Sequence, residues 1–166
     1  MDSKQKNIIT IFITVFILLL IFLVIAYFSS KSPRRGSFNP ISMDLSEIEG
    51  EPTGIDNDCS YNVAKISNSV SIGLCGTPIL KENKILLYAT SVETNDFWLR
   101  VRLLDESETN ILGETNIIEP GYYVDKIDLN NKVKEDDMIV VKFMRYEKNT
   151  YYSLGEVKFK VKIKEN

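Results

Sequence analysis

The side chains that carry most enzyme and metal chemistry are few in this chain, and their spacing narrows what they can do. Cys59 and Cys75 are the two thiols, and there is no histidine. The missing histidine removes the commonest general base and the commonest metal ligand together. The cysteines stand too far apart for a Cys-x-x-Cys redox or zinc motif. In a domain beyond a membrane an even pair reads as one disulfide, worth about 3 kcal/mol through the freedom it removes from the unfolded chain. In a cytoplasmic domain the same pair reads as two small buried thiols. Their place at the start of the folded part favours the disulfide, as a staple on the first strand.

Serines and threonines are plentiful, but none sits in a Gly-x-Ser-x-Gly elbow, and there is no P-loop or Gly-x-Gly-x-x-Gly. Carboxylates cluster at Asp105, Glu106 and Glu108, at Asp125 and Asp128, and at Glu135, Asp136 and Asp137. Loop carboxylates of this kind can bind calcium, yet none has the EF-hand spacing, and solvated turns account for them. The pattern points away from an enzyme and implies no cofactor and no metal. The net charge of −3 leaves no basic footprint for nucleic acid.

The aromatic residues carry more. Tyr122 and Tyr123 are adjacent, as are Tyr151 and Tyr152. Neighbours in a strand face opposite sides, so one of each pair is expected to point outward. An outward tyrosine is a common interface anchor, and these four form the candidate interaction surface. The plainer alternative is that the outward ring covers the sheet or makes a corner hydrogen bond.

Strands must position these residues. From about residue 60 the hydrophobic period is two. Leu99, Val101 and Leu103 alternate with Trp98, Arg100 and Arg102. Val157, Phe159, Val161 and Ile163 alternate with Lys158, Lys160, Lys162 and Lys164. Such alternation gives one buried and one solvated face. Further runs at Val70–Leu74, Lys84–Val92, Ile111–Leu112, Ile117–Ile118, Tyr122–Leu129 and Met138–Tyr146 are separated by turn formers such as Glu119-Pro120-Gly121. Six to eight short strands predict an all-β domain over 59–166, an immunoglobulin-like β-sandwich, with an open barrel as the alternative. The antibody cysteine pattern around Trp98 is absent.

Before this domain lies residues 8–28, IITIFITVFILLLIFLVIAYF, with no charge, Pro or Gly. As a helix it spans roughly 32 Å, against about 30 Å for a bilayer core. It predicts a transmembrane helix preceded by a cytoplasmic tail, 1–7. A cleaved signal would be shorter and end in small residues, whereas Ala26-Tyr27-Phe28 is bulky. Lys4 and Lys6 before the span and Lys31, Arg34 and Arg35 after it do not fix its direction. Residues 29–58, rich in Ser, Pro and Gly, predict a flexible linker.

Four stretches carry a resemblance: Val70–Pro78, Asn95–Val101, Glu119–Val124 and Tyr146–Gly155. Over about residues 70–163 the chain resembles a group of small surface-anchored proteins of Gram-positive bacteria that often accompany conjugative and mobile elements. The resemblance implies an extracytoplasmic β-domain and a link to conjugative transfer machinery. It implies no catalytic residues. The expectation from residues and resemblance together is a single-pass membrane protein with its C-terminal domain outside. It would act in binding or assembly with an envelope protein, or alternatively as a glycan or cell-wall ligand module.

Overall fold

The computed structural model describes residues 17–21 and 40–165. The chain divides into two units, Met1–Asn39 and Pro40–Asn166. In the first, residues 17–21 are helical. The rest of the expected span 8–28, the tail 1–7 and the expected linker up to residue 39 lie outside the described residues. Among the described residues, no helix is long and apolar enough to cross a membrane.

The second unit is all β, in two sheets. The strands are β1 (Ile48–Glu49), β2 (Tyr61–Ser67), β3 (Val70–Cys75), β4 (Ile79–Lys81), β5 (Lys84–Ser91), β6 (Phe97–Asp105), β7 (Ile111–Glu114), β8 (Tyr122–Asp128), β9 (Met138–Glu147), β10 (Ser153–Lys162) and β11 (Lys164–Glu165). One sheet runs β1-β8-β5-β3-β2, with β4 paired to β5 and β11 to β4; the other runs β10-β9-β6-β7. All pairings are antiparallel except β4 with β11.

The period-two pattern explains the layers. In β6, Leu99, Val101 and Leu103 are fully buried, while Arg100 and Arg102 are half-buried. Val101 stands opposite Phe143 of β9, which stands opposite Val157 of β10. Phe143 and Phe159 meet edge to face at 5.8 Å. From the other sheet Ile72, Ile85, Leu87, Ala89 and Ile127 join the same core cluster. Burying such side chains contributes roughly 1.5–3 kcal/mol each, which is what holds two such layers face to face. On the opposite face of the β6 sheet, charges occupy the alternate positions. Glu114 accepts ion pairs from Arg100 at 2.8 Å and Arg102 at 2.9 Å, and Lys142 and Lys158 share Glu156.

The chain changes sheets at Ile163. β10 ends in one layer, Ile163 is buried, and β11 begins in the other. Ile163 N–H donates to Asp137 O, and Lys164 N–H donates to Pro78 O.

The linker expected over 29–58 ends earlier than its composition suggests. From Pro40 the chain belongs to the β unit. Met43 bridges Ile117, Asp44 Oδ2 accepts from Asn116 N–H at 2.7 Å, and β1 pairs with β8 through Ile48–Tyr123 and Glu49–Tyr122. The glycines and prolines there shape a strap, because its backbone finds hydrogen-bond partners on β8 and on the segment before it.

Candidate functional site

A concavity forms where four strands of the larger sheet converge. It holds about 590 Å³. β1 and the strap after it supply Glu49, Gly50, Glu51 and Pro52; β2 supplies Tyr61 and Val63; the end of β5 and its loop supply Thr90 to Thr94; Pro120, Gly121 and Tyr122 complete it.

Tyr61 fixes one side. Its hydroxyl donates to Thr90 Oγ1 at 2.9 Å, and Thr90 Oγ1 donates to Tyr88 O at 2.9 Å. The bond crosses from β2 over β3 to β5. It is possible because β3 carries Gly73 opposite both Val63 and Thr90. A Cβ there would press into Tyr61 Oη and stand 2.8 Å from Thr90 Cβ. The opposite side rests on the strap. Gly50 N–H donates to Gly121 O at 2.8 Å, and Gly121 N–H to Ser91 O at 2.7 Å. Gly121 has φ +86°, a value that favours glycine, and this turn leads directly into β8.

The cleft is acidic. Glu49, Glu51 and Glu93 line it, and no Lys or Arg does. Both phenols are raised, for different reasons. Glu49 foremost, then burial, Glu119 and Glu47 push Tyr122 above the usual tyrosine value. Burial foremost pushes Tyr61 up, and the charge of Glu51 adds to it. Just beyond the cleft, burial raises the Glu47 carboxyl. The Glu119 N–H opposes this, while the charges of Glu119 and Asp44 add to it.

The residues singled out from sequence fall in several places. Cys59 and Cys75 form a disulfide, with Cα atoms 5.0 Å apart and both residues fully buried. It ties the turn before β2 to the end of β3. Tyr122 lines the cleft; Tyr123 is buried. Tyr151 and Tyr152 lie in the β9–β10 turn, on the other sheet. Tyr151 packs on Trp98, ring centroids 5.0 Å apart, while Tyr152 is 70% exposed. The four tyrosines therefore do not form one surface. Several of the clustered carboxylates are taken up within the domain. Asp105 accepts from Thr109 N–H and Asn110 N–H, Asp128 pairs with Lys84 at 2.8 Å, and Asp136 with Lys162 at 2.8 Å. Among the described residues no group of three acidic or cysteine side chains is placed to hold a metal ion.

Tyr61, Thr90 and the cleft glutamates carry no motif in the sequence. The one signal was Gly73, a glycine inside an apolar strand, which marks a close approach of another group. No protein-family model, curated protein or solved structure matches the chain.

Proposed function

We propose that this chain is a non-catalytic binding module, displayed outside the cell by a membrane span at 8–28 and engaging another protein of the envelope. The observation that carries the binding role is the cleft: a concavity of about 590 Å³ with two tyrosines in its wall. Ligand sites are concave, with aromatic surface and a few convergent polar groups. Display outside is supported by the uncharged run 8–28 and by the buried disulfide, a bond that persists in oxidising compartments. An immunoglobulin-like sandwich fits the reading, since that architecture commonly serves recognition.

The reading is tested in two steps. Protease added to intact cells should degrade the domain, and a thiol probe should leave Cys59 and Cys75 unlabelled until reduction; protection together with labelling would reject display outside. Tagged full-length chain is then recovered from its own membrane, where co-recovery of the same envelope protein at fixed stoichiometry is the expected result. A second reading, a wall-glycan module, draws on Tyr122 as a stacking face within the cleft. It requires retention on purified wall material that Tyr122→Ala abolishes.

A further inference from the structure

One edge of the larger sheet is open. β2 pairs with β3 alone, and among the described residues nothing pairs with its other side. The backbone groups that face this edge can be assigned. Asn95, in the loop after β5, donates from Nδ2 to Ser71 O at 2.8 Å and accepts from Ser71 N–H at 3.1 Å. Ser71 thus turns its backbone groups towards β5 and away from β2. Neighbouring residues of a strand alternate in this respect. Lys65 stands opposite Ser71, and Val63 and Tyr61 stand opposite Gly73 and Cys75. Tyr61, Val63 and Lys65 are therefore the residues that present N–H and C=O to the open edge. At the start of the strand, Ser60 O accepts from Gly76 N–H at 3.1 Å, which fits the same alternation.

Two of those three residues, Tyr61 and Val63, also line the acidic cleft. Hydrogen-bonding edge and cleft meet along one strand. We propose that β2 accepts an extended segment of a partner protein as an added strand, and that basic side chains at alternate positions of that segment enter the cleft. The proposal rests on the binding-module reading above. Main-chain pairing supplies affinity in such additions, and pockets beside the edge supply specificity. Charge complementarity identifies the occupant: Glu49, Glu51 and Glu93 face no Lys or Arg in the cleft wall. Tyrosine faces attract cations, and the half-exposed Val63 suits the aliphatic stem of a lysine. Lys65 sets the register, because a basic side chain belongs beside Tyr61 and Val63 and not beside Lys65. The other long edge strand, β10, is guarded by Lys158, Lys160 and Lys162, whereas β2 bears Lys65 alone.

The test uses the full chain in lipid nanodiscs and three labelled peptides, followed by anisotropy. The first alternates lysine and threonine. The second replaces lysine by glutamate. The third keeps lysine but is N-methylated on one edge, so that it cannot pair. The lysine peptide is expected to saturate, and the other two to bind about tenfold more weakly or worse. The double variant Glu49→Gln with Glu93→Gln should weaken the lysine peptide by about tenfold, a usual size for charge contacts at an interface. Val63→Pro should weaken it similarly, since proline is tolerated where an edge N–H faces solvent. Equal binding of the glutamate or N-methylated peptide, no binding of any peptide, or indifference to both variants would overturn the proposal. So would oligomers of the chain that Val63→Pro alone dissolves, which would assign the edge to a second copy. If wild type and a variant that combines Glu49→Gln, Glu93→Gln and Val63→Pro recover the same envelope protein from membranes, this inference fails while the binding-module reading stands; no recovery by either form removes that reading too.

Discussion

The Tyr61 hydroxyl reaches Thr90 Oγ1 at 2.9 Å by lying across Gly73. One bond thus joins β2 to β5 without passing through the backbone of β3, and it sets one wall of the cleft. Gly73→Ala should expel the ring and cost about 2 kcal/mol, as overpacking does. Tyr61→Phe keeps the ring and removes the bond, for about 1 kcal/mol. Urea denaturation of both variants checks the order. A Gly73→Ala no worse than Tyr61→Phe would contradict the close approach.

The disulfide is buried at both ends, so reductant should act on the unfolded chain more readily than on the folded one. Replacing Cys59 and Cys75 together by alanine should lower stability by about 3 kcal/mol. Reductant should shift the wild-type urea midpoint towards that of the variant and leave the variant unchanged.

Thr115, just after β7, is buried and hydrogen-bonded to β6. Its Oγ1 accepts from Val101 N–H at 2.9 Å and donates to Asn116 O at 2.7 Å. Thr115→Val conserves shape but leaves a buried N–H without that partner. A loss of about 1–3 kcal/mol is expected. Thermal unfolding measures it, and faster amide exchange at Val101 would locate it.

Two carboxyls should shape the acid limb of the stability curve with opposite signs. Asp105 is held at about 2, below its ordinary 3.8, foremost by the Asn110 side-chain amide. Between those values the unfolded chain binds more protons, so stability rises with pH through this window and is lost as pH falls through about 2. Glu47 is raised, foremost by burial. There the folded chain binds more protons, so stability falls as pH rises from the ordinary glutamate value through the raised one. Asp105→Asn should flatten the first slope and Glu47→Gln the second, read from melting temperature against pH.

Trp98 is the single tryptophan and packs on Tyr151. Tyr151→Ala should red-shift its emission as water reaches the indole and cost about 1 kcal/mol. Tyr151→Phe should leave the emission in place. An unchanged spectrum in the alanine variant would mean that other groups shield the indole.

What could be read from sequence followed from local periodicity. The lysine–valine alternation of β10 and the leucine–arginine alternation of β6 state their own burial, but Trp98, which alternation put on the solvated face with Arg100 and Arg102, is buried, its ring packed on Tyr151. The disulfide was legible because the two cysteines form one even pair at the start of the folded part. The strap was not legible. Met43, Ile48 and Glu49 find their partners at Ile117, Tyr123 and Tyr122, far along the chain, and no local pattern encodes such pairing. The cleft was hidden for the same reason, since Glu49, Tyr61, Thr90 and Glu93 belong to separate elements and meet only in the folded sheet. Tyr122 and Tyr123 were separated correctly by alternation, yet alternation alone could not say which of them borders a cavity.

The strap gives the domain a mechanical side. Tension applied from the N-terminal direction meets first the bridge of Met43 with Ile117 and then the two-residue pairing of β1 with β8, before it meets any long strand. Were those contacts to give way, the load would next reach Cys59, which is covalently linked to Cys75. Freeing residues 40–58 would add roughly 60 Å of slack at about 3.4 Å per residue. The same pull would carry off Glu49, Glu51 and Pro52, so the cleft would lose its strap-side wall under load and regain it on release.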